Sequence, residues 1–225
     1  MSTPKAVLEQ INKLVADLVD IGLSQDQNFV FQRQISSTSI EVTFPQSEHL
    51  SAIFKNRMYS EVYDILSSER ALVIKLPDGA LIQMQYLFNN DVLEKHRLAF
   101  FPSPHLEEFQ NNPEVYLEDE VYADIVSKSI VPFPMRFDYD CRGEVWKELE
   151  HPKSHFSLGQ YENCRIPVSA PLTPACFIDF ILRNFYNTAF NHYAERLSKT
   201  NWCFDDSILA TEQGVIYLKI PKRIV

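Results

Sequence analysis

The apolar residues near the start of the chain recur every three or four positions, a spacing typical of one face of an α-helix. Thr3 and Pro4 precede them and are suited to cap and open a helix, and Gly22 follows the last of them. The pattern predicts a helix from Thr3 to about Gly22. Its apolar face consists of Val7, Leu8, Ile11, Leu14, Val15, Leu18 and Ile21.

Short β-rich runs separated by turn residues dominate the next part of the chain. Residues 29–34 and 39–44 predict two paired strands, and residues 48–68 predict one or two helices. Three further β-rich runs are separated by Pro77-Asp78-Gly79 and by Asn89-Asn90-Asp91, which are both turn sequences. These runs predict an antiparallel meander over residues 71–76, 80–88 and 92–101.

The C-terminal part predicts more helix than strand. Residues 105–127 have a helical pattern. Thr173 and Pro174 are suited to open a long helix that runs to about Ser198, and residues 214–220 predict a final strand. The predicted fold class is α+β: an antiparallel sheet meander with flanking helices and a long C-terminal helix. We expect a single domain over residues 1–225, with a sub-boundary near residues 131–134.

Composition supports a folded domain with a full core, because 45% of the 225 residues are hydrophobic and 12% are aromatic. No run approaches the ~18 apolar residues of a membrane span, and no basic flank leads into an apolar signal core. We therefore expect a cytoplasmic protein with no membrane partner. The cysteines include no C-x-x-C pair, which predicts reduced thiols at Cys141, Cys164, Cys176 and Cys203.

The net charge of −9 is unevenly distributed along the chain. Residues 1–130 carry 10 Lys and Arg against 19 Asp and Glu, whereas residues 131–225 carry 11 of each kind. Two interpretations of the densest acidic segment are open: a solvated helix face, or a surface that binds a basic partner protein. An acidic surface repels phosphate, so nucleic acid would bind only indirectly or through residues 131–225. The segment contains Glu107, Glu108, Glu114, Glu118, Asp119, Glu120 and Asp124.

Candidate chemistry begins in the sequence RFDYD, where three charged residues alternate with two aromatic residues. On a strand, Arg136, Asp138 and Asp140 would share one face. Paired carboxylates can hold a divalent cation, the one cofactor that this pattern suggests, or divide acid and base roles. Alternatively, the segment is a surface strand on which Arg136 neutralises its acidic neighbours.

Two histidines and an arginine follow within 25 residues of the acidic pair. If a strand begins at His151, then His151 and His155 point the same way, and neutral imidazole can transfer protons near pH 7 or bind a metal. Their spacing relative to Cys141 and Cys164 matches no standard zinc pattern. Arg165 could contact a phosphate or simply pair with an aspartate. The candidate catalytic residues are Asp138, Asp140, His151, His155 and Arg165, and the identity of any metal is undetermined.

A polar stripe lies on the predicted C-terminal helix, where Arg183 and Asn187 are four residues apart. These two side chains could orient a ligand, or the stripe could simply face solvent. Phosphate-binding glycine loops, a nucleophile elbow and two common nuclease signatures do not occur in the chain. The sequence therefore excludes an ATPase or a dinucleotide enzyme, but not every nuclease.

Three segments carry a resemblance to a known family: RFDYD, HPKSHFSLGQYENCRIPVSAPLTP and FILRNFYNTAF. They resemble a bacterial family described as a domain of unknown function, members of which occur beside a helicase in two-gene antiphage loci. The resemblance implies a role in antiviral immunity and a helicase partner. It supplies no catalytic residue.

Two hypotheses follow for the function. In the first, the chain is a non-catalytic subunit that binds its helicase and controls or targets it, consistent with the acidic N-terminal half. In the second, the chain is a nucleolytic effector. There, Asp138 and Asp140 bind a metal or the two histidines act as base and acid, while Arg165 stabilises the charge of the transition state.

Overall fold

The fold is described from a computed structural model, which describes residues 3–47, 57–105, 133–161, 163–199 and 202–222. Within these ranges the chain forms four α-helices and two short 3-10 helices. The α-helices are α1 (Pro4–Asp20), α2 (Tyr59–Ser68), α3 (Pro174–Phe185) and α4 (Asn187–Tyr193). The 3-10 helices are Ala194–Arg196 and Glu212–Gly214.

Nine strands form one antiparallel sheet in the described part of the chain. Its main order is β1-β4-β5-β6-β7-β8-β9, and β3 pairs with both β2 and the far end of β5. The strands are β1 (Asp26–Gln27), β2 (Phe31–Gln34), β3 (Ser39–Thr43), β4 (Ile74–Lys75), β5 (Leu81–Asn89), β6 (Val92–Phe101), β7 (Met135–Asp140), β8 (Ser154–Leu158) and β9 (Ile166–Pro167). The α+β class and the antiparallel meander predicted from the sequence are confirmed.

The first helix begins as its sequence predicts. The Thr3 hydroxyl oxygen accepts a hydrogen bond from the backbone N–H of Ala6, which satisfies one of the unpaired donors in the first turn. The predicted apolar face is almost entirely buried, and α1 packs against β3, β5 and α3. Burial of this apolar face therefore stabilises the packing of α1 against the sheet.

The turns of the meander explain why its register is well defined. Asn90 and Asp91 join β5 to β6 with φ values of 49° and 62°, the left-handed region that a type I′ hairpin turn requires. Gly79 has φ 85° in the turn before β5, where Leu76 donates its backbone N–H to the carbonyl of Ala80. Short turns of this kind place consecutive strands side by side.

The two faces of the sheet differ in character. On one face, Phe137 of β7 packs against Phe156 and Phe180, with ring centroids 4.6 and 5.2 Å apart. Tyr86 of β5 is also buried on this face and donates its hydroxyl to the carbonyl of Leu172. The opposite face of β6, β7 and β8 carries charged and polar residues, because side chains alternate along each strand. The candidate site lies on this polar face.

Two predicted elements differ from the structure at the C-terminal end. The long helix predicted to reach Ser198 ends at Phe185, because Tyr186 has φ −133° and ψ 52° and its buried ring directs the hydroxyl to Asp78 at 2.7 Å. A second helix, α4, then begins. The predicted final strand at 214–220 is absent in the described residues. Only Leu218 forms a bridge there, to Val168, and Glu212–Gly214 is a 3-10 helix.

Several sequence predictions lie outside the described residues. The structure does not describe residues 48–56 of the predicted 48–68 helical region, or residues 106–132, which contain all seven residues of the acidic segment. Within the described ranges, no helix combines the length and the apolar character needed to cross a membrane.

Candidate functional site

The centre of the polar face is a row of three residues directly opposite one another on adjacent strands. Arg97 of β6 pairs with Asp138 of β7, which pairs with His155 of β8. The guanidinium Nε of Arg97 donates to Asp138 Oδ1 at 3.0 Å, and Asp138 Oδ2 lies 3.7 Å from Arg136 Nε and 3.9 Å from His155 Nε2. The register of β6, β7 and β8, together with alternation along β7, therefore brings one carboxylate, one imidazole and two guanidinium groups together.

Asp138 is ionised at neutral pH. Burial opposes ionisation, and only 14% of the side chain is exposed, but Arg97 and Arg136 favour the charged form more strongly. They lower the pKa of Asp138 from 3.8 to about 2. The carboxylate is thus a fixed negative charge that orients its cationic neighbours.

His155 is almost fully buried, with 6% of its side chain exposed. Its Nδ1 donates to the carbonyl of Pro152 at 2.9 Å, so Nε2 is the ring nitrogen left to exchange a proton. Burial lowers the pKa of His155, while Asp138 opposes that shift by stabilising the imidazolium. The ring is therefore neutral near pH 7 and becomes protonated at lower pH beside a carboxylate.

His151 lies in the site as predicted, but a turn rather than a strand positions it. Strand β8 begins at Ser154 rather than at His151, because residues 147–151 form a tight turn in which Lys147 and His151 exchange backbone hydrogen bonds. The turn still places the His151 ring edge-on to His155, with centroids 4.9 Å apart. Partial burial and then the nearby charge of Arg165 lower the pKa of His151.

Asp140 lies at the far end of β7 and belongs to a separate ion pair. Arg142 donates Nε to Asp140 Oδ1 at 2.9 Å and Nη2 to Oδ2 at 2.6 Å. Burial raises the pKa of Asp140, but the hydrogen bonds from Arg142 outweigh it and leave the pKa below its usual value. Asp138 and Asp140, the two candidate metal-binding carboxylates, thus both form ion pairs with guanidinium groups. Among the described residues, no group of three or more His, Cys, Asp or Glu side chains could hold a metal ion.

All five predicted catalytic residues line one open cleft with a volume of about 630 Å³. Arg165 enters it from the segment before β9, and Ser157 of β8 contributes a hydroxyl. Its lining includes five cationic side chains and two carboxylates in the described part of the chain, so the cleft is positive in a chain of net charge −9. The cationic side chains belong to Lys95, Arg97, Arg136, Arg142 and Arg165.

Sequence reasoning missed Lys95 and Arg97, which come from the acidic N-terminal half. Lys95 and Arg97 are two residues apart on a predicted strand, a spacing that places them on one face. Nothing in the sequence indicated that this strand, β6, pairs with β7. The N-terminal half therefore supplies two of the five cations in the cleft. The prediction that nucleic acid would bind only indirectly or through residues 131–225 stays a prediction, but the cleft draws its cations from both halves of the chain.

The predicted ligand-orienting pair lies elsewhere. Arg183 pairs with Asp179 at 3.2 Å and its guanidinium carbon lies 4.3 Å from the centroid of the Phe190 ring. It lines a separate cavity of about 190 Å³, and Asn187 donates its amide to the carbonyl of Arg183. These contacts stabilise the junction between α3 and α4 and do not face the cleft.

The family of the chain is shown by comparison with family models. A model described as an uncharacterized conserved protein, DUF2290, matches residues 23–220. The chain belongs to this family. The matched range includes every residue of the cleft. Comparison with curated proteins and comparison with solved structures each found no match.

Proposed function

We propose that this DUF2290 protein binds the phosphate backbone of nucleic acid in the cleft and cleaves it by acid–base chemistry. The convergence of five cationic side chains with two imidazoles on one sheet face supports this proposal. Guanidinium groups bind phosphate oxygens by paired hydrogen bonds, and imidazoles transfer protons near neutral pH. This is the second of the two hypotheses drawn from the sequence, with histidine rather than metal chemistry as its leading form.

Each residue has a distinct role in this proposal. His151 is the general base, because its partly exposed ring borders the cleft and Arg165 disfavours its protonated form. His155 is the general acid, because Asp138 stabilises its imidazolium. Arg165 and Arg136 bind the reacting phosphate and stabilise the additional charge of the transition state.

Replacing Arg165 with alanine is expected to weaken nucleic-acid binding about tenfold, since a hydrogen bond to a charged group contributes about 1.5 kcal/mol. Loss of one phosphate contact should also reduce the slope of log affinity against log salt concentration by about 0.7 for a single strand. Fluorescence anisotropy with a labelled oligonucleotide at several salt concentrations measures both quantities.

The matched control for this experiment is Arg183→Ala, which removes an arginine that is paired with an aspartate outside the cleft. It should leave both the affinity and the salt slope unchanged. Equal effects of the two substitutions, or no effect of Arg165→Ala, would contradict binding in the cleft.

We also propose that the protein acts together with a helicase in antiphage defence. The support is the resemblance carried by RFDYD and HPKSHFSLGQYENCRIPVSAPLTP, which are segments that build the cleft. A helicase would deliver unwound strands to a protein whose overall charge disfavours capture of nucleic acid. In the alternative role, the chain binds and controls the helicase without catalysis. The acidic segment from Glu107 to Asp124 is the predicted contact surface for either role.

Co-expression with the neighbouring helicase is expected to give a complex that elutes as one species at low salt and dissociates as the salt concentration rises, because charge pairs at a surface are screened. Size-exclusion chromatography measures this. The control is a variant in which Glu118, Asp119 and Glu120 are replaced by glutamine or asparagine, which should elute separately. Separate elution of the unaltered proteins at low salt would refute the partnership.

A further inference from the structure

An exposed aromatic ring stands at the rim of the cleft. Tyr161 lines the cleft, and 79% of its surface is exposed to solvent. Its ring lies over the end of β8, where a Cβ added at Gly159 would be 3.4 Å from Tyr161 Cδ2. The preceding loop is anchored, since Gly159 donates its N–H to the carbonyl of Pro134 and Gln160 donates its side-chain amide to the carbonyl of Arg57. The backbone that precedes Tyr161 is thus held by hydrogen bonds, and the ring is exposed at the rim of the cleft.

A second cavity of about 730 Å³ continues the cleft on the side of His151. The two cavities share Val145, His151, Asn163 and Arg165 in their linings. The second cavity adds Trp146, and Lys153 Nζ lies 4.4 Å from the centroid of its ring. The polar face therefore offers aromatic rings at two places along a groove whose shared wall carries His151 and Arg165.

This arrangement suits single-stranded nucleic acid better than a duplex. Aromatic side chains stack on bases that are unpaired, whereas the bases of a duplex are already stacked and paired. Phosphate-binding arginines alone would accept either form, because both present the same backbone charge. The exposed ring of Tyr161 beside the arginines therefore favours a single strand.

The catalytic groups of the cleft suit RNA. A general base acts on a hydroxyl held close to the phosphorus, and RNA carries one, the 2′-hydroxyl, adjacent to the phosphate. The 2′-oxygen forms a bond to phosphorus while its proton passes to His151. The bond from phosphorus to the 5′-oxygen breaks, and that oxygen takes a proton from His155. The products are a 2′,3′-cyclic phosphate and a 5′-hydroxyl, so no further reactant is required.

We propose that the substrate bound in this groove is single-stranded RNA, with a base stacked on Tyr161 and the reacting phosphate beside Arg165. This proposal rests on the proposed function and specifies its substrate. It assigns Tyr161 as a specificity residue for unpaired bases.

The test compares three labelled oligonucleotides of one sequence: single-stranded RNA, the corresponding RNA duplex and single-stranded DNA. Binding is measured by fluorescence anisotropy with the His151→Ala protein, so that the RNA stays uncleaved. Tyr161→Ala in this background should weaken binding of single-stranded RNA about tenfold, because stacking of one base contributes about 1–3 kcal/mol. Tyr161→Phe retains the ring and should bind as tightly as the parent. Binding of the duplex should change in neither variant.

Cleavage is measured with the unaltered protein by mass spectrometry of the products. The expected products from single-stranded RNA end in a cyclic phosphate, and DNA of the same sequence should remain intact. The substrate assignment would be overturned if single-stranded and duplex RNA bound equally and Tyr161→Ala had no effect. Equal cleavage of DNA and RNA would also overturn it. Failure of the proposed function itself is distinguishable, since then no oligonucleotide would respond to Arg165→Ala.

Discussion

Replacing His151 with alanine is expected to lower the rate constant of RNA cleavage by about 10²- to 10⁴-fold, the usual contribution of a positioned acid or base. RNA affinity should change little, because binding depends on the arginines of the cleft rather than on a neutral imidazole. Single-turnover cleavage and anisotropy measure the two quantities separately. The control is His105→Ala, since His105 pairs with Asp64 outside the cleft.

The pH dependence of the same reaction provides an independent check. The pKa of His151 and the pKa of His155 are both below the ordinary value of 6.5, in each case first through burial. The base must be neutral and the acid protonated, so cleavage should accelerate as the pH is lowered from about 8 toward 6 and decline again in more acidic solution. A rate that is independent of pH, or an unimpaired His151→Ala enzyme, would exclude the acid–base pair.

The second large effect is expected for Asp138→Asn, which removes the buried charge at the centre of the site. The folded-state pKa of about 2 lies below the ordinary 3.8, so the carboxylate stabilises the fold above pH 3.8 and this stabilisation is lost as the pH falls through about 2. The shift corresponds to about 2 kcal/mol of the free energy of unfolding at neutral pH. Urea denaturation should show this difference at pH 7 and about half of it near pH 3.

The matched control is Asp179→Asn, which disrupts a partly exposed i,i+4 pair with Arg183 and should reduce stability by only about 0.3–0.5 kcal/mol. Asp138→Asn should also slow cleavage, because the His155 imidazolium loses its partner. It should not weaken RNA binding, because the cleft becomes more positive. If the two variants were equally stable, the ion pairs of Asp138 with Arg97 and Arg136 would not stabilise the fold as expected. Weaker RNA binding by Asp138→Asn would contradict an anion-binding cleft.

The elements that the sequence predicted well are those set by local interactions. The capped helix α1 and the hairpin at Asn90-Asp91 depend on residues within a few positions of one another, and both were predicted within a few residues of their observed bounds. The C-terminal helix was predicted too long because its end is set by the contact of Tyr186 with Asp78, more than 100 residues away. Helical periodicity contains no information about such a contact.

The same distinction applies to the site. Alternation placed Arg136, Asp138 and Asp140 on one face of a strand, and the structure agrees, although Asp140 forms its own ion pair with Arg142. The grouping of His151 and His155 was inferred from a strand that begins later than expected, so their proximity depends instead on the turn at 147–151.

The sequence by itself determined the local structure and the chemical types available: an α+β chain with two histidines, paired acids and several arginines in one block. Only the tertiary structure decided that Lys95 and Arg97 join that block and that the resulting cleft is positive. The reason is physical. Alternation along a strand fixes which side chains share a face, whereas pairing between strands distant in sequence depends on burial of the opposite, apolar face against the helices.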